Sequence, residues 1–209
     1  MPNIRKNQKT ATKKKLIRHA KELIVTKGVD DLQISDITES AGVSQGTFYV
    51  HFESKEELFN LLKDEFSDNM LKMIVAVFEN EFESDGKLSV RHLANIYLDE
   101  LRNNRVFIIL YASRYGYSLP YEQLITGINP ALIDYIAKEV DKLQAYEDRE
   151  SFDSVLFTHA LLSIWLRVGF RYSLLEAPDK EEHVSMIYRF TKATVLDFLP
   201  VQGKKQLGF

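Results

Sequence analysis

The stretch Ile34–Leu58, ISDITESAGVSQGTFYVHFESKEEL, is what most restricts the folds open to this chain. Ile34, Ile37 and Ala41 are spaced by three and four residues, so one face of a short helix is apolar. Gly42 follows, a residue that adopts positive φ at a helix C-terminus without a Cβ clash. Val43 is placed to pack under the turn, and the Ser44 hydroxyl to cap the helix that comes next. Phe48 and Phe52, four apart, anchor that second helix to a core, while Gln45, Thr47, Tyr49 and His51 leave its other face polar. Two short helices around a tight turn, the second with hydrogen-bonding side chains turned outward, are the arrangement that sets a helix in the major groove of DNA.

A lone pair of such helices has too little core to fold. Upstream, Leu16, Ile17, Ala20, Leu23 and Ile24 line one face of a helix that Gly28 ends, which completes a three-helix head. Downstream, Ser54 and Glu57 form a capping box. From Leu58 to Phe82 apolar residues recur at helical spacing, so a single long helix is expected up to the break at Ser84-Asp85-Gly86. The net charge of −3 conceals a division: residues 1–27 hold nine Lys and Arg against one acid, Glu22. A basic segment beside the head is the electrostatic footprint of phosphate contacts. Lys13, Lys14 and Lys15 are expected near the start of the first helix, where positive charge opposes the macrodipole and a partner would compensate it.

The blocks AGVS (Ala41–Ser44), GTFY (Gly46–Tyr49), HF (His51 and Phe52) and S-K-E-x-L (Ser54–Leu58) follow TKKKLIRHAKELIVTKGVDDLQI. In order and spacing they resemble the DNA-binding domain of the TetR family of bacterial transcriptional regulators, over roughly residues 10–62. The chain departs from the family pattern at Gln45, where a basic residue is usual, and at Gln33, Thr38 and Val50. Gln pairs with adenine edges where Arg or Lys pairs with guanine, so Gln45 points to an A·T contact. The expected DNA contacts are Lys13, Lys14, Lys15, Gln33, Ser35, Ser44, Gln45, Gly46, Thr47, Tyr49, His51 and Lys55. Among them Gln45 and Thr47 are the candidate base readers, Tyr49 and His51 set register on phosphates, and Gly46 lets the backbone approach.

Gly42-Val43-Ser44-Gln45-Gly46 also satisfies G-x-S-x-G, the nucleophile elbow of α/β-hydrolases. That chemistry needs a buried strand before the serine, and DITESA has helical periodicity instead. No other catalytic constellation is present, so no enzymatic activity and no cofactor are expected. The chain has no Cys, its five His are scattered without i, i+3 or i+4 pairs, and no metal site is expected. No apolar run reaches the roughly 18 residues of a membrane span, and no signal-peptide segment follows the basic N-terminus. A cytoplasmic protein without a membrane partner is expected.

The remainder has helical patterning without strand alternation, with helices expected near 88–104, 105–116, 130–144, 152–175 and 180–199. Asn129-Pro130 and Pro178-Asp179 with Glu182 mark two of the starts. Val155–Phe170 is apolar nearly all round, so it either threads the domain's centre or gives one face to a second subunit. The resemblance implies the latter, with the last two helices as a dimer interface, and a two-fold dimer would double the few base contacts of one head. Aromatic and Arg residues crowd Phe107–Tyr121, and others lie on separate helices. Tyr97, Phe107, Tyr111, Arg114, Tyr115, His159, Trp165 and Arg167 are candidates for a small-molecule pocket, although buried aromatics are equally a feature of ordinary helical cores.

The sequence therefore reads as all-α: an N-terminal three-helix helix-turn-helix head in residues 1–55 with a basic arm, and a larger helical effector-binding and dimerisation domain in residues 56–209. The expected function is a homodimeric transcriptional regulator bound to a pseudo-palindromic double-stranded operator. A repressor released by an unknown small-molecule effector is the primary reading, and an effector-independent regulator or activator is the alternative.

Overall fold

The computed structural model describes residues 2–84, 89–113, 130–144, 152–176 and 178–198. Among the described residues the regular structure is entirely helical: α1 (Pro2–Lys27), α2 (Ile34–Ser40), α3 (Gln45–Tyr49), α4 (Lys55–Ser84), α5 (Val90–Asn103), α6 (Arg105–Ala112), α7 (Pro130–Gln144), α8 (Ser154–Leu174) and α9 (Lys180–Phe198). The helices fall into two compact units. One takes in α1, α2, α3, α4 as far as Glu65, and α6; the other takes in α4 from Phe66, then α5, α7, α8 and α9. The units thus do not follow the simple linear division at residue 55, because α6 belongs with the head.

The first unit is built around Leu16, Ala20 and Ile24 of α1, Ile37 of α2, Phe48 and Phe52 about α3, and Leu58, Phe59 and Leu62 of α4. Leu110 of α6 joins the same core and is fully buried. Its ends are closed by local chemistry. Gly28 has φ +86° and donates to the carbonyl of Ile24, which ends α1. Gly42 has φ +59°, and its N–H donates to Glu39 while that of Val43 donates to Thr38. These two bonds make a Schellman closure of α2, so the tight turn is dictated by the glycine. Thr38, unusually polar for its buried position, donates its hydroxyl back to the carbonyls of Ile34 and Ser35.

In the second unit α8 packs on α5, α7 and α9, and α9 also packs on α5. Asp153 caps α8 through the N–H groups of Val155 and Leu156, and Asp179 caps α9 through Glu182. The C-terminal carbonyls of α8 are satisfied from another helix: Arg102 of α5 donates to Tyr172, Leu175 and Glu176 at 3.2, 2.7 and 3.1 Å. Trp165 donates its indole N–H to Thr191 of α9 at 3.0 Å.

The expected helices recur with small changes at their ends. The helix expected near 88–104 begins at Val90, capped by Ser89 through His92. That expected over 105–116 is seen as far as Ala112; Asn129 and Asp85-Gly86 lie outside the described residues. One expectation is corrected. Lys13, Lys14 and Lys15 do not sit near the start of α1, because the helix continues upstream to Pro2 and places them mid-helix. The macrodipole therefore supplies no argument about these three side chains.

Candidate nucleic-acid interface

Ser44 holds α3 at its first turn. Its side chain accepts from the Thr47 N–H at 3.2 Å, and the two hydroxyls lie 3.0 Å apart. This serine is a helix cap within an all-helical unit, the opposite of the strand-borne nucleophile that G-x-S-x-G would require. Phe48 is fully buried and stacks near Phe52 at 5.4 Å, which fixes the rotation of α3 about its own axis. Gln45, Gly46 and Tyr49 are in consequence turned outward, Tyr49 being 56% exposed, while Thr47 is partly buried. The exposed aromatic is pinned edge-on to Phe48 at 5.7 Å, so its hydroxyl is presented on a rigid stem.

Gln33 and Ser35 begin α2 and are both exposed. The Asp36 carboxylate accepts from the Gln33 N–H at 2.8 Å and from Lys27 at 2.6 Å, which ties α2 to the end of α1. These donors hold the Asp36 carboxyl below its ordinary range, the Lys27 hydrogen bond being the largest influence. His51 follows α3 and is partly buried. Burial first, then the charges of Lys9 and Lys13, hold its imidazole below the usual value.

The basic residues divide by role. Lys13 lies over the Phe52 ring at 5.1 Å, next to the exit of α3. Lys15 reaches towards Gly42 at the helix-turn-helix bend, where its Nζ would stand 3.8 Å from a Cβ. Lys14 is exposed. Lys55 is committed within the unit: it donates to the Leu32 carbonyl at 2.5 Å and lies 5.7 Å from the Phe59 centroid. The other expected DNA-contact residues are distributed over the middle of α1 (Lys13, Lys14 and Lys15), the start of α2 (Gln33 and Ser35), and α3 with its flanks (Ser44, Gln45, Gly46, Thr47, Tyr49 and His51).

The expected pocket residues do not form one set. Tyr97, His159, Trp165 and Arg167 belong to the second unit, and Phe107 and Tyr111 to the first; Arg114 and Tyr115 lie outside the described residues. Tyr97 and Trp165 are buried and meet edge-to-face at 5.4 Å. His159 is partly buried, and Arg167 is exposed on α8. Phe107 and Tyr111 pair at 5.9 Å on α6. The Tyr97 hydroxyl is buried without a hydrogen-bond partner, and burial holds its phenol far above the usual range. Sequence reading missed Thr191, the acceptor for Trp165, since nothing local marks a threonine 26 residues away as its partner.

Comparison with known proteins matches this geometry. Residues 16–62 fit the family described as bacterial regulatory proteins, tetR family. The chain is 40% identical over 60 residues to the uncharacterised HTH-type transcriptional regulator YvdT of Bacillus subtilis, a match spanning 29% of this chain and 31% of that protein. It is 22% identical over 186 residues to the Staphylococcus epidermidis IcaR, a negative transcriptional regulator of the biofilm operon icaADBC, covering 86% of this chain and 99% of that one. Among solved structures, a Syntrophomonas wolfei protein described as a TetR-family transcriptional regulator superposes with a TM-score of 0.71 at 21% identity, over 92% of this chain and 98% of that one. FadR of Bacillus subtilis, solved in complex with stearoyl-CoA, gives 0.62 at 20% identity over 87% and 96%. Residues 16–62 thus match the tetR family of bacterial regulatory proteins, and the fold around them is similar to that of solved proteins described as TetR-family regulators.

Proposed function

We propose that this chain is a homodimeric DNA-binding transcriptional regulator, a repressor that leaves its operator when a small molecule binds the second unit. The observation that carries the reading is α3 itself: capped by Ser44, locked by Phe48, and presenting Gln45 and Tyr49 outward beside a lysine-rich helix. Such a face can hydrogen-bond to base edges and phosphates while its buried side fixes the docking angle.

A dimer is supported by the outer faces of the last two helices. Leu156, Ala160, Ser163, Arg167, Arg171 and Leu174 form one exposed line along α8. Met186, Phe190 and Ala193 form another on α9, with Met186 42% and Phe190 47% exposed. Val155–Phe170 therefore does not bury both faces within the chain. A second copy would cover the free one, with Ala160, Ser163 and Ala193 small enough for close helix approach. An effector is supported by the unpaired Tyr97 hydroxyl on a ring that meets Trp165, a buried polar tip that a ligand could satisfy. FadR's complex with stearoyl-CoA makes acyl-CoA thioesters the first class to try. Binding would shift the dimer's population away from the groove spacing of about 34–36 Å that two recognition helices need.

Selection of genomic fragments by the purified protein at physiological salt tests this. Enrichment of a pseudo-palindrome supports the dimeric reader. Recovery of unenriched, random fragments would sink it.

A further inference from the structure

The family match begins at residue 16, yet α1 extends upstream to Pro2. At about 100° per residue, Lys6, Lys9 and Lys13 fall on the same side of the helix as Leu16, Ala20 and Ile24, which are buried in the head. The core-facing stripe of α1 thus continues beyond the core as a line of lysines. Two observations fix where that line points. Lys13 reaches the Phe52 ring at 5.1 Å, and Lys9 and Lys13 both act on the imidazole of His51. Lys9 and Lys13 therefore lie on the side of the head where α3 ends, by Phe52 and His51. Lys6 and Lys9 are exposed, and among the described residues no carboxylate is paired with either.

Nothing in the head rewards this extension: residues 6–11 are exposed throughout, and a solvent-exposed helical turn gains little stability on its own. A partner with closely spaced negative charges would. Lys6 to Lys13 spans about 10 Å along the axis, a length over which duplex DNA presents several phosphates. We infer that the Lys6–Lys9–Lys13 stripe is a second DNA contact, gripping the phosphate backbone that flanks the sequence read by α3. The inference rests on the proposed operator binding and adds a sequence-independent grip outside the half-site, with His51 at the junction between the two.

The test compares the selected operator duplex in two lengths, trimmed to the palindrome or extended by about one helical turn on each side. The wild-type protein should bind the extended duplex with the steeper dependence of log affinity on log salt, by about 0.9 for each phosphate engaged. The Lys6→Gln/Lys9→Gln variant, in which two exposed side chains change and helix propensity is kept, should lose that difference while retaining the same base preference. Lys6→Arg/Lys9→Arg should restore it. Operator binding with equal slopes for both duplexes, or slopes that the glutamine variant leaves unchanged, would overturn the stripe alone. A wild-type protein that holds no duplex of either length would overturn the stripe and the proposed regulator together.

Discussion

Gly169 of α8 lies flush against the ring of Tyr97 on α5: a methyl group at residue 169 would stand 2.8 Å from both Cε1 and the hydroxyl oxygen of Tyr97, and would run into Cδ1 of Leu101. The glycine is kept by this contact rather than by backbone freedom, since its φ is not positive. Trp165, one turn earlier, closes on the same ring at 5.4 Å. The α5–α8 crossing in the second unit is thus set by how near the two backbones come.

Gly169→Ala should therefore loosen this crossing. Both neighbours are buried, so neither can swing away freely, and overpacking of this kind costs about 1–3 kcal/mol. Urea denaturation should show the unfolding free energy falling by that amount, with a correspondingly lower midpoint. An unchanged midpoint would mean that the two helices separate at little cost.

Tyr97→Phe should do the reverse. The hydroxyl has lost its water and gained no partner, a debt on the order of 1 kcal/mol that the phenylalanine ring does not carry. The effector-free protein should become more stable by about that much. A loss of stability instead would show that the hydroxyl is hydrogen-bonded in solution.

Lys55→Met separates a fold role from a DNA role. The Lys55 ammonium joins α4 to the Leu32 carbonyl across 23 residues, and its removal should lower the head's stability by about 1 kcal/mol. If the side chain is a tie and not a phosphate contact, the salt dependence of DNA binding should stay where it was. A slope reduced by about 0.9, with stability unchanged, would reassign Lys55 to the DNA backbone.

Gln45→Ala and Tyr49→Ala should differ in kind. Loss of a bidentate base contact at Gln45 should relax preference at one or two base pairs per half-site, by about 1–3 kcal/mol at each. Loss of Tyr49, whose side chain is exposed and which we propose meets phosphate, should weaken operator and random duplex alike. Repeating the selection with each variant reads the first effect, and titration of both duplexes reads the second. An unchanged motif for Gln45→Ala would remove it from the base readers.

Acid should unpick the junction of α1 and α2. The folded-state pKa of Asp36 is lowered, so its contribution is complete above the ordinary carboxylate value of 3.8 and is lost as pH falls through the lower folded value. Asp36→Asn should accordingly flatten the acid limb of the head's thermal midpoint and leave its shape near neutrality alone. Identical acid limbs in the two proteins would show that the Lys27–Asp36 pair does not couple to unfolding.

What the chain could disclose unaided was whatever is decided within a few residues. Ala41-Gly42-Val43-Ser44 specifies a helix stop, a turn and a helix start through bonds spanning three to five positions, and those bonds are present as expected. The three- and four-residue spacing of Leu16, Ala20 and Ile24, and of Phe48 and Phe52, named the buried faces of the head for the same reason: helical geometry converts sequence interval into direction. The lysine line at Lys6, Lys9 and Lys13 has that spacing too, but it means nothing until α1 is known to run unbroken to Pro2.

Tertiary structure alone decided the rest. That Leu110 of α6 completes the head's core, that Arg102 closes the end of α8, and that Trp165 meets Thr191 are pairings between segments far apart in sequence. No local pattern encodes them, because a buried apolar or polar side chain advertises only that it needs a partner, while packing chooses which one. Arg167 shows the limit from the other side: its residue type suits an anion in a pocket, yet the rotation of α8 places it on the exposed line with Leu156 and Ser163. Periodicity assigned each helix an inside; only close packing among the helices settled which faces were left outward.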